Sequence, residues 1–519
     1  MAKIIIIGAG LSGISLSVKL KLAGHEVVVI EKNSWPGGIF ASTQKKQYLF
    51  NSGLEFYYPH RWLLNFFKDA GENVDEYLEF EKVENKYKTY IDKIDSNQAY
   101  SIINLDNNYQ YFNEIVSYLE NRGMKNSLNK KSGTFTKLDE LINNITKISP
   151  EFREKFEDNF NLVELEKFLL RNGIRGTFED YIKRYFDNPY IIQFLSIFSL
   201  FFGCKPCDLP AFYIFFLVEY LTTESYVPKG GYSDLAQKMY FMASHKGVNF
   251  WLEQEIDNLI IEDSKLTGIK IKPTASQLFQ SSLNVENGFE VPYQDNIINC
   301  DYLMHTGDYE NFEKNLLIEN KYRNYTDKFW ESQKYNSSYS TFLLGLSDEV
   351  PSFESHCFIP GDLNTNNTRI KNDPNIDPTK PVNNTPIYFI SSPASQNSNP
   401  TLKVLCFQDY KISTTKEEQD KLLLNCIQRI SANTQVNLAQ YITSYIKFDE
   451  DDMREQLLLS HNSPYGIRYD LNRPTDSLYN QNKRIVNIMY STNSNFPLGN
   501  GLISIIRSKS LISEIINKI

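Results

Sequence analysis

The chain opens with an apolar run of strand length, Lys3-Ile4-Ile5-Ile6-Ile7, that passes straight into Gly8-Ala9-Gly10-Leu11-Ser12-Gly13. A helix-compatible stretch from Ser12 to Leu22 follows, Gly24 breaks it, and a second apolar run, His25 to Ile30, ends on Glu31. Continuous rather than alternating apolar residues predict parallel strands buried on both faces, so the pattern reads as strand, turn, helix, strand: a βαβ unit with a G-x-G-x-x-G turn. Each glycine in that turn has its own task. Gly8 permits the tight bend, Gly10 lets the backbone approach a pyrophosphate, and Gly13 lets the helix pack closely on the strand. A diphosphate is then expected at the helix N-terminus, where unpaired N–H groups and the positive end of the dipole meet it. Glu31, about twenty residues beyond the glycines, suits the 2′-hydroxyl of an adenosine ribose and disfavours a 2′-phosphate.

A second nucleotide-domain signal lies at Tyr226-Val227-Pro228-Lys229-Gly230-Gly231-Tyr232. The pattern then predicts a helix over 233–246, ended by Gly247, and strands over 248–252, 259–261 and 266–271, with Asp263-Ser264 and Gly268 as turn residues. Residues 360–385 read as a polar loop. Strands resume over 386–391 and 402–407, a helix over 416–430, and a last helix from about Leu502 to Ile519.

Two stretches are almost wholly apolar, Tyr190 to Phe202 and Ala211 to Val218, separated by Gly203-Cys204-Lys205-Pro206-Cys207-Asp208-Leu209-Pro210. Neither approaches the roughly 20 residues that span a bilayer, so they are core, membrane-surface or lipid-pocket helices. Cys204 and Cys207 have C-x-x-C spacing, but no second pair completes a zinc site and no thioredoxin-like unit surrounds them; a structural turn is expected.

With 519 residues, two or three domains are expected. The net charge of −9 offers no basic face, so no nucleic-acid partner is expected. Six irregularly spaced cysteines and a first strand that starts at residue 3, without a cleavable apolar leader, point to a reducing cytoplasm. The six histidines are scattered singly, so no metal is expected, and no nucleophile motif is present.

Several short motifs, in one order across nearly the whole chain, resemble the phytoene desaturase family of FAD-dependent carotenoid enzymes. They are the glycine turn with Glu31-Lys32, Pro36-Gly37-Gly38, Phe50-Asn51-Ser52-Gly53, the Pro228 to Tyr232 turn, Leu303 to Asp308, Leu343 to Leu346, and the closing Gly499-Asn500-Gly501-Leu502-Ile503-Ser504. The resemblance implies an α/β fold: a Rossmann-like FAD-binding domain of the glutathione-reductase or amine-oxidase type, a mixed-sheet substrate domain and a helical, membrane-facing subdomain. The expected division is 1–60, 226–310 and 465–519 for FAD, 61–140 and 311–464 for substrate, and 141–225 for the helical part. FAD is the implied cofactor, held by Gly8, Gly10, Leu11, Ser12, Gly13, Glu31, Lys32, Gly37, Gly38, Ile39, Ile256, Asp308, Gly499, Gly501 and Leu502. The implied partners are an apolar small-molecule substrate and a membrane surface, with peripheral attachment from the cytoplasm; oligomeric state and general base stay open.

The departures fall at the redox end. Ile39 stands where the family usually carries an arginine, Asn51 where it carries an aspartate, and Asn493 to Ser504 replaces a glycine-rich closing motif. The resemblance implies desaturation of a long isoprenoid by hydride transfer to flavin N5. A redox-neutral isomerase or saturase, and a non-catalytic FAD- or lipid-binding homologue, are the alternatives.

Overall fold

The computed structural model describes residues 1–51, 60–83, 85–92, 100–106, 109–121, 136–156, 162–273, 296–353, 356–361, 385–392, 399–408, 415–448, 450–461, 463–468 and 480–492. Strand β1 (Lys3–Ile7), helix α1 (Leu11–Leu22) and strand β2 (Glu26–Ile30) form the expected opening unit. β1 lies at the centre of a five-stranded parallel sheet, in the order Ile488–Tyr490, Tyr302–His305, β1, β2, Asn249–Trp251. Both faces are covered, which is why residues 4–6 and 27–30 at the middle of the sheet are apolar at successive positions. Ile4, Ile6, Val27 and Val29 pack with α1 and the helix Gly231–His245, while Ile5, Val28, Ile30 and Leu303 pack against Tyr309, Phe312 and Trp330. The segment from Tyr309 to Trp330 therefore contributes Tyr309, Phe312 and Trp330 to the packing under this sheet.

Beside it, Ile256–Glu262, Lys265–Ile271 and Ile297–Asn299 form an antiparallel sheet. Its first hairpin turns at Asp263-Ser264, whose φ values of 48° and 62° suit a tight two-residue turn. The third sheet is mixed and seven-stranded, running Ile442–Phe448, Ser338–Leu346, Thr401–Gln408, Ile387–Ser392, His356–Ile359, Asn85–Asp92, Tyr100–Asp106. Its neighbours are antiparallel except for the pair of His356–Ile359 with Asn85–Asp92. One face carries the helix Lys416–Thr434 through Leu423, Cys426 and Ile430. The other meets the hairpin Ser42–Lys45/Tyr48–Asn51 and a layer of helices from Lys137–Phe156 to Ile214–Thr222.

Of the readings left open for residues 190–218, the structure takes the core. Phe194, Phe198, Phe201 and Phe202 are all 9% exposed or less; the first three lie against Tyr87, Phe112, Phe178, Tyr220 and Phe358, and Phe202 against Tyr213 and Phe216. The membrane-facing role expected of this run is thereby corrected: its apolarity is consumed by aromatic packing. A 3₁₀ turn, Ile197–Phe202, continues the helix Pro189–Ser196 and stops at Gly203, where an added Cβ would fall 2.1 Å from the Tyr465 ring. Cys204 and Cys207 are free thiols, and the Cys204 thiol is pushed up by burial. Among the described residues, no helix is long and apolar enough to cross a membrane.

Glu313 is fully buried behind the parallel sheet, where it accepts hydrogen bonds from the Asn324 and Tyr325 amides and the Tyr490 hydroxyl. Burial outweighs these bonds and pushes its carboxyl up from 4.5 to about 7. Between those values the folded chain holds a proton that the unfolded chain has released, so stability falls as pH rises through that window, by about 3 kcal/mol in all. Glu313→Gln should flatten the dependence. Thermal midpoints measured from pH 4.5 to 8 on both proteins check it, and equal slopes would contradict it.

Candidate functional site

The turn after β1 is built to leave a helix end bare. Gly10 caps α1 without a side-chain hydrogen bond, and no acidic residue occupies the first turn, so the leading N–H groups face an anion unopposed. The turn is compressed on one side only. A Cβ at Gly13 would lie 1.9 Å from the Gly8 carbonyl oxygen, whereas one at Gly10 would find only Gly38 Cα, at 3.9 Å. Gly13 is thus closed by protein and Gly10 by nothing. Gly37 and Gly38, at φ of 119° and 56°, bring a second loop onto the first: the Gly37 amide donates to the Ala9 carbonyl at 2.8 Å, and the two segments bridge at Gly10 and Gly37.

A cavity of about 490 Å³ opens over these loops. Its lining includes eleven of the residues expected from the sequence: Gly8, Gly10, Leu11, Ser12, Glu31, Lys32, Gly37, Gly38, Ile39, Ile256 and Asp308. Gly13 stands behind the lining as the packing contact. Gly499, Gly501 and Leu502, with the closing motif, lie outside the described residues.

Glu31 is buried, and its carboxylate ties the two loops together. Oε2 accepts from the Ala9 amide at 2.8 Å, and Oε1 accepts from the Asn33 amide and side chain at 2.9 and 3.0 Å. Carboxylate oxygens can accept further bonds, so a sugar hydroxyl still finds an acceptor there. Asp308 is a second acceptor: it caps the helix Tyr309–Asn315 through the Asn311 amide, takes the Ser460 hydroxyl at 2.7 Å, and is pushed up by burial. His305, which the motif reading passed over, also lines the cavity. Its Nε2 faces the Asp308 carbonyl at 2.9 Å and must therefore carry the proton, and burial lowers the ring to about 4, so it is neutral. Residues 457–459 and 463–464 close the far side, where Ser460 meets Asp308 and His461 Nε2 lies 3.0 Å from Glu310. Nothing local in the sequence marks that wall, because it reaches the cavity from more than 140 residues away.

A smaller cavity of about 40 Å³ adjoins it and shares Asn33, Gly38, Ile39, Gln456 and Leu457 with it. The far wall of the smaller cavity is the mixed sheet, through Tyr339, Thr341 and Phe448. Ile39 stands at the junction and packs against both large cores. Asn51 nearby has protein partners: its side chain accepts from the Ser233 hydroxyl at 2.8 Å, and its carbonyl accepts from the buried Lys403 ammonium at 2.7 Å. Sheet, hairpin and second nucleotide helix are thereby joined at one residue.

The arrangement fits a dinucleotide: bare helix amides for phosphate, two carboxylates for sugar hydroxyls, and an extension toward the sheet. The family model for flavin-containing amine oxidoreductases matches residues 11–272. Similar curated proteins are the 4,4′-diapolycopene oxygenase of Methylomonas sp, 26% identical over 52% of each chain, and the 4,4′-diapophytoene desaturase of Staphylococcus aureus, 24% identical over 50% of each. The chain thus spans about half the length of those two. A carotenoid 3,4-desaturase of Haloarcula japonica is 20% identical over 94% of this chain and 92% of that protein. In fold, the chain is similar to an oxidoreductase from Methanosarcina mazei (TM-score 0.58, 14% identity, 99% of both chains) and to putrescine oxidase bound to putrescine (TM-score 0.58, 11% identity, 100% and 99%).

The two turn glycines should separate in mutation. Gly13→Ala forces a methyl into the Gly8 carbonyl and should destabilise the protein by about 1–3 kcal/mol or more. Gly10→Val meets no protein atom closely, so the thermal midpoint should stay near that of the wild type while flavin content of the purified protein collapses. A Gly10→Val protein with a full flavin complement would contradict the placement of the phosphates.

Proposed function

Because the chain belongs to the flavin-containing amine oxidoreductase family and FAD is its cofactor, we propose that it desaturates a long apolar isoprenoid of the carotenoid type. The observation that carries this reading is the smaller cavity under the mixed sheet that shares five wall residues with the dinucleotide cavity, beside a core rich in aromatic rings. The names of the curated relatives, which concern carotenoid and diapocarotenoid conversions, support the substrate class.

In this reading the α1 amides and Gly10 receive the pyrophosphate, Glu31 and Lys32 the adenosine sugar, and Ile256 and Asp308 flank it. Gly37, Gly38 and Ile39 guide the other end toward the sheet. Bound FAD supplies the hydride acceptor when a C–H bond of the substrate is broken and a proton leaves the neighbouring carbon. The protein's part is to hold the polyene and exclude water. Ile39, Phe448 and Leu457 give the junction apolar walls, and the sheet face that carries Tyr339, Leu405 and Phe407 packs against the helical layer. We place the substrate path along that interface. A polyene is held by lipid and not by water, so peripheral attachment to a membrane belongs to the same proposal. The contact must come from residues other than the buried 190–218 run.

The test uses the purified flavoprotein under anaerobic conditions. Acyclic isoprenoid polyenes delivered in detergent or liposomes should bleach the oxidised-flavin absorbance and yield products with longer conjugation. Putrescine and other primary amines should leave it unchanged. Bleaching by amines with none from isoprenoids would replace this reading with an amine oxidase.

A further inference from the structure

Thr341 sits on the central part of the strand Ser338–Leu346, directly across from Phe448 of the neighbouring strand, and both line the small cavity beyond Ile39. Tyr339, two residues away on the same face, completes that wall. Thr341 is only 2% exposed, yet its hydroxyl makes no hydrogen bond among the described residues. Twelve buried side-chain polar atoms lack a partner among the described residues, and Thr341 is the one of them that lines the small cavity. Ile39, Ala41, Phe448 and Leu457 on the walls around its hydroxyl offer no side-chain partner, and the polar side chains that share the cavity, among them Asn33, Thr43 and Gln456, make no hydrogen bond to it.

We propose that the missing partner is the polar edge of the flavin ring system, so that Thr341 is a cofactor-contacting residue contributed by the mixed sheet. This rests on the FAD reading above. A dinucleotide with its sugar at Glu31 and its phosphates on α1 has one remaining direction, past Gly38 and Ile39, and the small cavity is what lies there. Its volume of about 40 Å³ admits one edge of a flat ring and not a whole ring, and an unpartnered hydroxyl there favours the edge that carries nitrogen and oxygen over the methyl-bearing one. A hydroxyl suits that edge because it can donate to an unprotonated ring nitrogen or accept from a protonated one. It therefore interacts differently with the oxidised and reduced forms and biases the balance between them.

Thr341→Val keeps the shape and removes the hydroxyl, Thr341→Ala removes it without the β-branch should the valine variant fail to fold, and Thr341→Ser retains it. In the flavin-loaded proteins, the ratio of oxidised to reduced flavin against a reference dye at fixed poise should change roughly three- to tenfold in the valine and alanine variants. Their flavin bands should shift as well. The serine variant should stay with the wild type, and the apoprotein of the valine variant should be no less stable than wild type. Unchanged ratios and bands in flavin-loaded valine or alanine variants would overturn the assignment of Thr341 while leaving FAD binding intact. A wild-type protein that neither carries nor takes up flavin would instead overturn the FAD reading itself.

Discussion

The backbone contact between α1 and the turn that precedes it governs the rest of this molecule. With no room for even one Cβ at Gly13, the helix is drawn against the Gly8 carbonyl, and its bare N-terminus is aimed along the sheet's C-terminal edge. The cavity, the two carboxylates and the second glycine loop are arranged around that direction. Glu31 reinforces it from β2 by gripping the Ala9 amide, so the acid that suits a sugar also fixes the shape of the phosphate turn. Loss of Glu31 removes both functions together.

What the sequence reveals here is what short-range physics imposes. An all-apolar strand, a turn that needs glycines and a helix that needs none of its own caps are local requirements, and residues 3–31 display all of them. The same holds for the Asp263-Ser264 hairpin and the helix that Gly247 ends. Contacts between distant segments left no such mark. Nothing local pairs Asn85–Asp92 with His356–Ile359, or sends Ser460 to Asp308. The apolar stretches within 190–218 show a different limit: when almost every position is apolar, no period remains to tell a helix facing lipid from one enclosed on all sides. Only the surrounding rings of Tyr87, Phe112 and Phe358 decide it.

The electrostatic character of the site follows from burial more than from net charge. His305 is held neutral, Asp308 is pushed toward its protonated form, and Glu31, Lys32, Glu255 and Lys272 are engaged in bonds to backbone or neighbouring side chains. The positive potential that meets a phosphate is therefore supplied by helix amides rather than side-chain cations. Such a source is rigid and does not titrate.

The meeting of Gly38 with Gly10 is a contact of main chain on main chain, 3.2 Å from where a side chain would begin. At that point the loops meet without side chains, so the contact itself sets no requirement on the residue that follows Gly38. Residue 39 can thus become isoleucine, or something else again, without disturbing how the phosphate turn is supported. The side chain there answers instead to the two large cores it packs between, so packing rather than the glycine contact limits what can stand at that position.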